Sequence, residues 1–288
     1  MVRAVTVGLD GSRESLAAAE WGAREAELRE APLRLVNVWA PDGVVPQSMA
    51  DRDGQRHWAE RIPRRAQEEL RGRHPGLDVT ADQLVGWPRE VLPEAAAESE
   101  LLVLGSRGLS GVGRFLVGAV GQAVLAQTDR PVVFVRAPEH GHVPPDPRGP
   151  VLLGLDTTAD ALLEFAFDEA RRRRTGLWIV HAWSLPPYFG YGMPSDSSLT
   201  ADLTEKEATH LGEAVRPWRD THPDVEVTED SRRGRPEDLL ADAARDHDAA
   251  LVVVGRRIRR SPLGGRVGSV TYGVLHHVTA PVAVVSHS

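Results

Sequence analysis

The strongest constraint on this chain is an internal duplication, with matching runs about 148 residues apart. Val5–Asp10, Leu101–Gly105, Gly118 and Pro131–Val133 reappear as Leu152–Asp156, Leu251–Gly255, Gly268 and Pro281–Ala283. Between these runs Trp39 answers Trp183, His74-Pro75 answers His222-Pro223, and Gly86-x-Pro88 answers Gly234-x-Pro236. The offset stays between 144 and 150, so only small loop insertions separate two copies of one domain. The expected boundaries are 1–138 for the first domain, 139–149 for a linker of proline, glycine and polar residues, and 150–288 for the second domain.

Each copy alternates short apolar runs with longer helical patterns, as strand-helix-strand crossovers around a parallel sheet do. Runs apolar on both faces predict strands near Ala4–Leu9, Leu33–Trp39, Asp78–Leu84, Leu101–Gly105 and Val132–Arg136. Their counterparts fall near Val151–Leu155, Leu177–Trp183, Glu226–Ser231, Ala250–Gly255 and Val282–Ser286. Ser12 reads as the cap of a helix with Leu16, Ala19, Ala23 and Ala26 on one face; Thr157 or Thr158 plays that part before Leu162, Phe165, Ala166 and Ala170. Further helices are predicted through Val91, Ala95 and Glu98, through Leu239, Ala243 and His247, and over Ala119–Ala126 and Ser269–His276. Asp42–Gly54 and Ser184–Ala201 read as loops at the carboxyl end of a sheet, where loops commonly cover a ligand crevice. The expected fold is α/β: two tandem Rossmann-like doubly wound domains, each a five-stranded parallel sheet flanked by helices.

Composition removes several function classes. The apolar runs are too short to span a bilayer, and the N-terminus enters a strand without a basic segment and an apolar signal core. A soluble, cytoplasmic protein without membrane partners is expected. The chain has no cysteine, which excludes disulfides, thiolate nucleophiles and cysteine-ligated metals. A net charge of −7 disfavours a nucleic-acid binder that works by neutralising phosphates.

The most specific local signal is Gly105-Ser106-Arg107-Gly108, nine residues, then Gly118-Ala119-Val120-Gly121. Its first glycine ends an apolar strand and its last group opens a helix, so free N–H groups and the helix dipole converge on one place. Glycine there lets the main chain approach a phosphate and adopt positive φ. Asp10 and Asp156 follow the first strand of each copy, where an aspartate serves equally well as a helix cap or as a ligand contact.

With the aspartate, the glycine spacing and the Pro-Val-Val strand in one register, the chain resembles the universal stress protein family in its tandem form, over Val5–Val135 and Leu152–Val285. The resemblance implies ATP or a related adenine nucleotide as ligand, with Mg2+ accompanying the phosphates. By position, Asp10 and Val38 would face adenosine, Gly105, Arg107 and Gly108 would form a turn along ribose and phosphates, and Gly118, Ala119, Val120 and Gly121 would hold the phosphates. Ala119 and Gly121 stand where the family usually offers hydroxyls. In the second copy Asp156, Ala182, Gly255, Gly268, Ser269, Val270 and Thr271 match, with both hydroxyls kept. There Gly255-Arg256-Arg257-Ile258 replaces the second glycine with a β-branched residue that disfavours positive φ. Arg256, Arg257, Arg259 and Arg260 would compensate as charged donors to phosphate.

No catalytic set assembles. Gly-x-Ser-x-Gly, His-Glu-x-x-His and Gly-Lys-Ser/Thr are all missing, and the single lysine, Lys206, lies far in sequence from either glycine pattern. The resemblance therefore implies a nucleotide-binding regulator of stress adaptation rather than an efficient catalyst. Two alternatives stay open: an interaction or scaffold protein without nucleotide, and an adenylyl-transfer or slowly hydrolysing enzyme. The last strands, Val132–Val135 and Val282–Val285, should lie at sheet edges; in the family such strands pair across a two-fold axis, so a homodimer, or pairing of the two domains within one chain, is expected through them.

Overall fold

The computed structural model describes residues 2–40, 49–108, 115–116, 118–138, 149–156, 159–185, 197–258 and 268–287; side chains at 49–59, 107–108, 115–116 and 197–199 are outside the description. The described residues form two compact units. The first contains β1 (Val5–Leu9), α1 (Arg13–Leu28), β2 (Leu33–Trp39), α2 (Met49–Arg73), β3 (Val79–Val85) and α3 (Pro88–Ala97). It continues with β4 (Leu101–Gly108), β5 (Phe115–Leu116), α4 (Ala119–Gln127) and β6 (Val132–Arg136). The second contains β7 (Val151–Gly154), α5 (Asp160–Arg173), β8 (Leu177–Trp183), α6 (Ser197–Thr221), β9 (Val227–Arg233), α7 (Pro236–Asp246), β10 (Leu251–Arg257), α8 (Ser269–His277) and β11 (Val282–His287).

Strand order in the first unit is β3-β2-β1-β4-β6, with every neighbour parallel. The second unit repeats it as β9-β8-β7-β10-β11. Val5 and Thr6, Leu35 and Val36, and Leu101 and Leu102, successive residues that point to opposite faces, are all fully buried, as strands covered on both faces require. In the first unit α1 packs on β1, β4 and β6, while α3 and α4 pack together over the opposite face. Gly22 lets α1 approach the sheet, since a Cβ there would lie 2.6 Å from Cγ2 of Val7. The chain is thus the expected α/β duplication, each half doubly wound.

Two long helices depart from the sequence reading. Met49–Arg73 and Ser197–Thr221 are helical, although both carry an internal proline, Pro63 and Pro217, and the loops expected at Asp42–Gly54 and Ser184–Ala201 overlap their starts. These helices are stabilised by the sheet beneath them, with Ala66 and Leu70 of α2 and Leu211 and Val215 of α6 buried. The centres of both expected loops, 41–48 and 186–196, lie outside the described residues, as do linker residues 139–148.

A second departure concerns the glycine turn. β4 does not end at Gly105 but runs on to Gly108, because Arg107 and Gly108 pair antiparallel with Leu116 and Phe115 of β5 and so keep a ladder partner. In the second unit β10 runs to Arg257, opposite His287 of β11.

Candidate functional site

The site of the first unit is built at the carboxyl ends of its strands. β1 stops at Leu9, and the chain turns through Gly11, whose φ of +80° is the left-handed conformation that favours glycine. Ser12 then caps α1, its Oγ accepting from the Ser15 N–H at 3.2 Å. The Ser12 hydroxyl and its N–H, the latter at 3.0 Å, both donate to Asp10 Oδ1. Asp10 consequently organises the helix start while standing at the rim of a crevice.

That crevice is a cavity of about 400 Å³, in the range of small-molecule sites. Its walls come from Val36 and Val38 of β2, Leu92 of α3, Leu104 of β4 and Phe134 of β6. Asp10, Ser12 and Ser15 form one rim, and Gly118, Ala119, Val120 and Gly121 form another. Gly118 is the N-cap of α4, extended at φ −61° and ψ 169° with no side-chain cap bond, so the first N–H groups of α4 carry the helix's positive end toward the cavity. A Cβ on Gly118 would meet nothing within 4 Å. Open space beside an uncapped helix start fits a phosphate, and the apolar walls fit a planar base.

Gly105 has a different reason to be glycine. Its Cβ would point to the other face of the sheet, 2.5 Å from the carbonyl carbon of Glu14 and 2.6 Å from the Ser15 nitrogen. Neither Gly105 nor Gly118 has positive φ; among the described residues the left-handed glycines are Gly11 and Gly86. At these two positions the room around the missing Cβ, not a positive φ, is what sets glycine apart, against the expectation from sequence.

Because side chains alternate along a strand, Ser106 faces the cavity side, where it lines the wall and donates to the Val135 carbonyl at 3.2 Å. Arg136 stands directly opposite Ser106 and shares its face. Burial pushes the Arg136 guanidinium down to about 10.

The expected first-copy residues Asp10, Val38, Gly105, Gly118, Ala119, Val120 and Gly121 all border this one cavity. Arg107 and Gly108 complete β4, with side-chain positions outside the described residues. Sequence reading missed Ser12 and Ser15 as rim residues, and Leu92, Leu104, Ser106 and Phe134 as walls. The alternation beyond Gly105 marks Ser106, but nothing local marks Leu92.

In the second unit Asp156 is exposed at the end of β7, Ala182 and Gly255 are half-buried on β8 and β10, and Gly268 caps α8 without a side-chain bond. Ser269 is exposed and Val270 half-buried in the first turn of α8. Thr271, only 2 % exposed, turns its hydroxyl inward and donates to the Gly255 carbonyl at 2.9 Å. Arg256 is 4 % exposed and donates through Nη2 to Ser286 Oγ at 2.7 Å, so it is not the solvent-facing phosphate arm anticipated. Arg257 and Ile258 are exposed, Ile258 has no positive φ, and Arg259 and Arg260 lie outside the described residues.

Comparison with known proteins agrees with this architecture. The sequence model of the Universal stress protein family matches twice, at residues 1–136 and 149–286. A universal stress protein of Mycolicibacterium smegmatis is 32 % identical over 297 residues, covering 98 % of this chain and 96 % of that protein. One from Mycobacterium tuberculosis is 33 % identical over 295 residues, covering 99 % and 97 % respectively. Among solved structures, a universal stress protein from Archaeoglobus fulgidus superimposes with a TM-score of 0.74 at 20 % identity, covering 99 % of this chain and 98 % of its own, a likeness of fold. With the family matched over both halves and along nearly the full length of its relatives, the chain belongs to the universal stress protein family.

Proposed function

We propose that the protein binds an adenine nucleotide, ATP or a close relative, in the first unit's cavity, as a cytoplasmic regulatory ligand of stress adaptation. The observation that carries this reading is the junction of an apolar cavity with the uncapped start of α4, where Gly118 leaves open space. A base would lie between Val36, Val38 and Leu92, with Asp10 at its rim, and phosphates would meet the N–H groups of Ala119, Val120 and Gly121. Arg107 and Gly108 would complete the ribose side. Mg2+ would enter with the phosphates; among the described residues no group of three or more His, Asp or Glu could hold a metal ion.

Domain limits of 1–138 and 150–288 go with this reading. So does assembly through the last strands, Val132–Val135 and Val282–Val285, which come last in the order of their own units. Pairing of these strands, within one chain or between two copies, would satisfy backbone groups at each edge. Light scattering giving a monomer at micromolar concentration removes the intermolecular arm.

Calorimetric titration with ATP tests the binding reading. Saturable heat that Gly118→Val removes supports it. No heat across the concentration range leaves the second reading, an interaction protein of the same fold, which Ala119 favours by offering no hydroxyl to a phosphate. Mass spectrometry of small molecules released from the purified protein identifies the ligand class directly.

A further inference from the structure

β6 ends beside the first unit's cavity. Phe134 of β6 walls it together with Leu104 and Ser106 of β4, and the register sets Phe134 opposite Leu104 and Arg136 opposite Ser106. Side chains two apart on a strand share a face, so Arg136 stands on the cavity face, at the carboxyl end of the sheet. Neighbouring strands lie about 4.8 Å apart, less than the length of an arginine side chain, which puts the guanidinium within reach of the space that Ser106 borders. Burial that pushes Arg136 down to about 10 marks a cation held away from water, and an anion beside it would restore what burial removes.

Charge is laid out along this crevice. Among the described residues that line it, Asp10 alone carries a charged side chain, and it follows β1. Arg136 belongs to β6, two strands away in the order β1-β4-β6. The crossover from β4 to β6 runs through α4, so the uncapped start of that helix comes at the carboxyl ends of the same two strands. A polyanion would therefore meet backbone N–H groups and a guanidinium at one end of the crevice, and a carboxylate at the other. The second unit keeps both the volume and the charge of this step on exchanged strands, with Arg256 of β10 opposite Ser286 of β11, so the informative substitution keeps the volume and removes the charge. We infer that Arg136 is the phosphate-side cation of the first crevice, which thereby selects a nucleoside triphosphate over the uncharged nucleoside.

The inference rests on the nucleotide reading of this crevice, and adenosine separates the two. In calorimetric titration of the full chain, ATP is expected to bind at least tenfold more tightly than adenosine. Arg136→Met is expected to weaken ATP at least tenfold, to leave adenosine within twofold and to retain its thermal melt, and Arg136→Lys to recover part of the ATP affinity. An Arg136→Met chain that folds and binds ATP as the parent does, or that loses ATP and adenosine alike, overturns the inference. So does a parent that binds adenosine as tightly as ATP, although the nucleotide reading then stands. If the parent binds neither, the nucleotide reading falls and inorganic tripolyphosphate decides: binding that Arg136→Met removes supports Arg136 as a phosphate cation, and no binding overturns it. Should Arg136→Met not fold, Arg136→Gln is read in the same way. If neither folds, the parent's preference decides, less than tenfold for ATP over adenosine overturning the inference and a larger ratio supporting it.

Discussion

Gly105 lies directly beneath the main chain of Glu14: a Cβ added to the glycine would sit 2.5 Å from the Glu14 carbonyl carbon and 2.7 Å from its oxygen. Those are backbone atoms in the first turn of α1, and they cannot move aside as the end of a side chain can. Gly105→Ala is therefore expected to destabilise the protein by about 1–3 kcal/mol through overpacking, measured by urea unfolding. Gly118→Ala, which meets nothing within 4 Å, is expected to change stability by less than about 1 kcal/mol.

Binding should show the reverse ranking. Gly118→Val places a branched side chain in the open space before α4 and is expected to weaken ATP at least tenfold. Ala119→Ser supplies a hydroxyl in the first turn and is expected to strengthen ATP by about 0.5–1.5 kcal/mol. Calorimetry checks both, and unchanged affinity in Gly118→Val would remove the first crevice as the site.

Each unit has a buried ion pair at the carboxyl end of its first helix. Arg29 donates through Nε to Glu25 at 2.6 Å, with side chains 5 % and 0 % exposed. Arg173 donates through Nη1 to the fully buried Glu169. Removing a carboxylate from a buried ion pair is costly, so Glu169→Ala is expected to lose up to about 3–5 kcal/mol in chemical denaturation, and Glu25→Ala less, because Arg29 keeps Glu100 as a second partner at 3.4 Å.

Glu237 gives the acid side of the stability profile a test. Its carboxylate accepts from its own backbone N–H in the first turn of α7 and pairs with Arg235, and together these hold its pKa below the usual carboxylate range despite partial burial. A carboxylate depressed in the folded state adds stability above its unfolded pKa of about 4.3, and that contribution is lost as pH falls through the lower folded value. Glu237→Gln is thus expected to be less stable than the parent at pH 7. The difference should shrink as pH is lowered through 4, followed by thermal melts across pH.

Much of the architecture was legible because it is written in local patterns. Runs such as Leu101–Leu104 and Leu251–Val254 are apolar on both faces, and their repetition marks two parallel sheets. Helices α2 and α6 were not legible: Pro63 and Pro217 interrupt polar sequences whose helicity depends on packing against a sheet. Asp10 was open to two readings, helix start or ligand contact; its carboxylate holds the Ser12 cap, and the residue also borders the cavity.

Sequence by itself determined that the protein has two α/β halves and which strand ends and helix starts converge in each, because period, apolar run and glycine spacing are properties of neighbouring residues. Tertiary structure decided why each of these glycines is there and what its neighbours meet. Gly105 is held to glycine by the backbone of Glu14, whereas Gly118 faces open space; Ser106 borders a cavity, and its counterpart Arg256 is buried and bonded to Ser286. Those differences depend on what stands across the sheet from a residue, and atoms brought there from distant parts of the chain leave no mark on the local pattern.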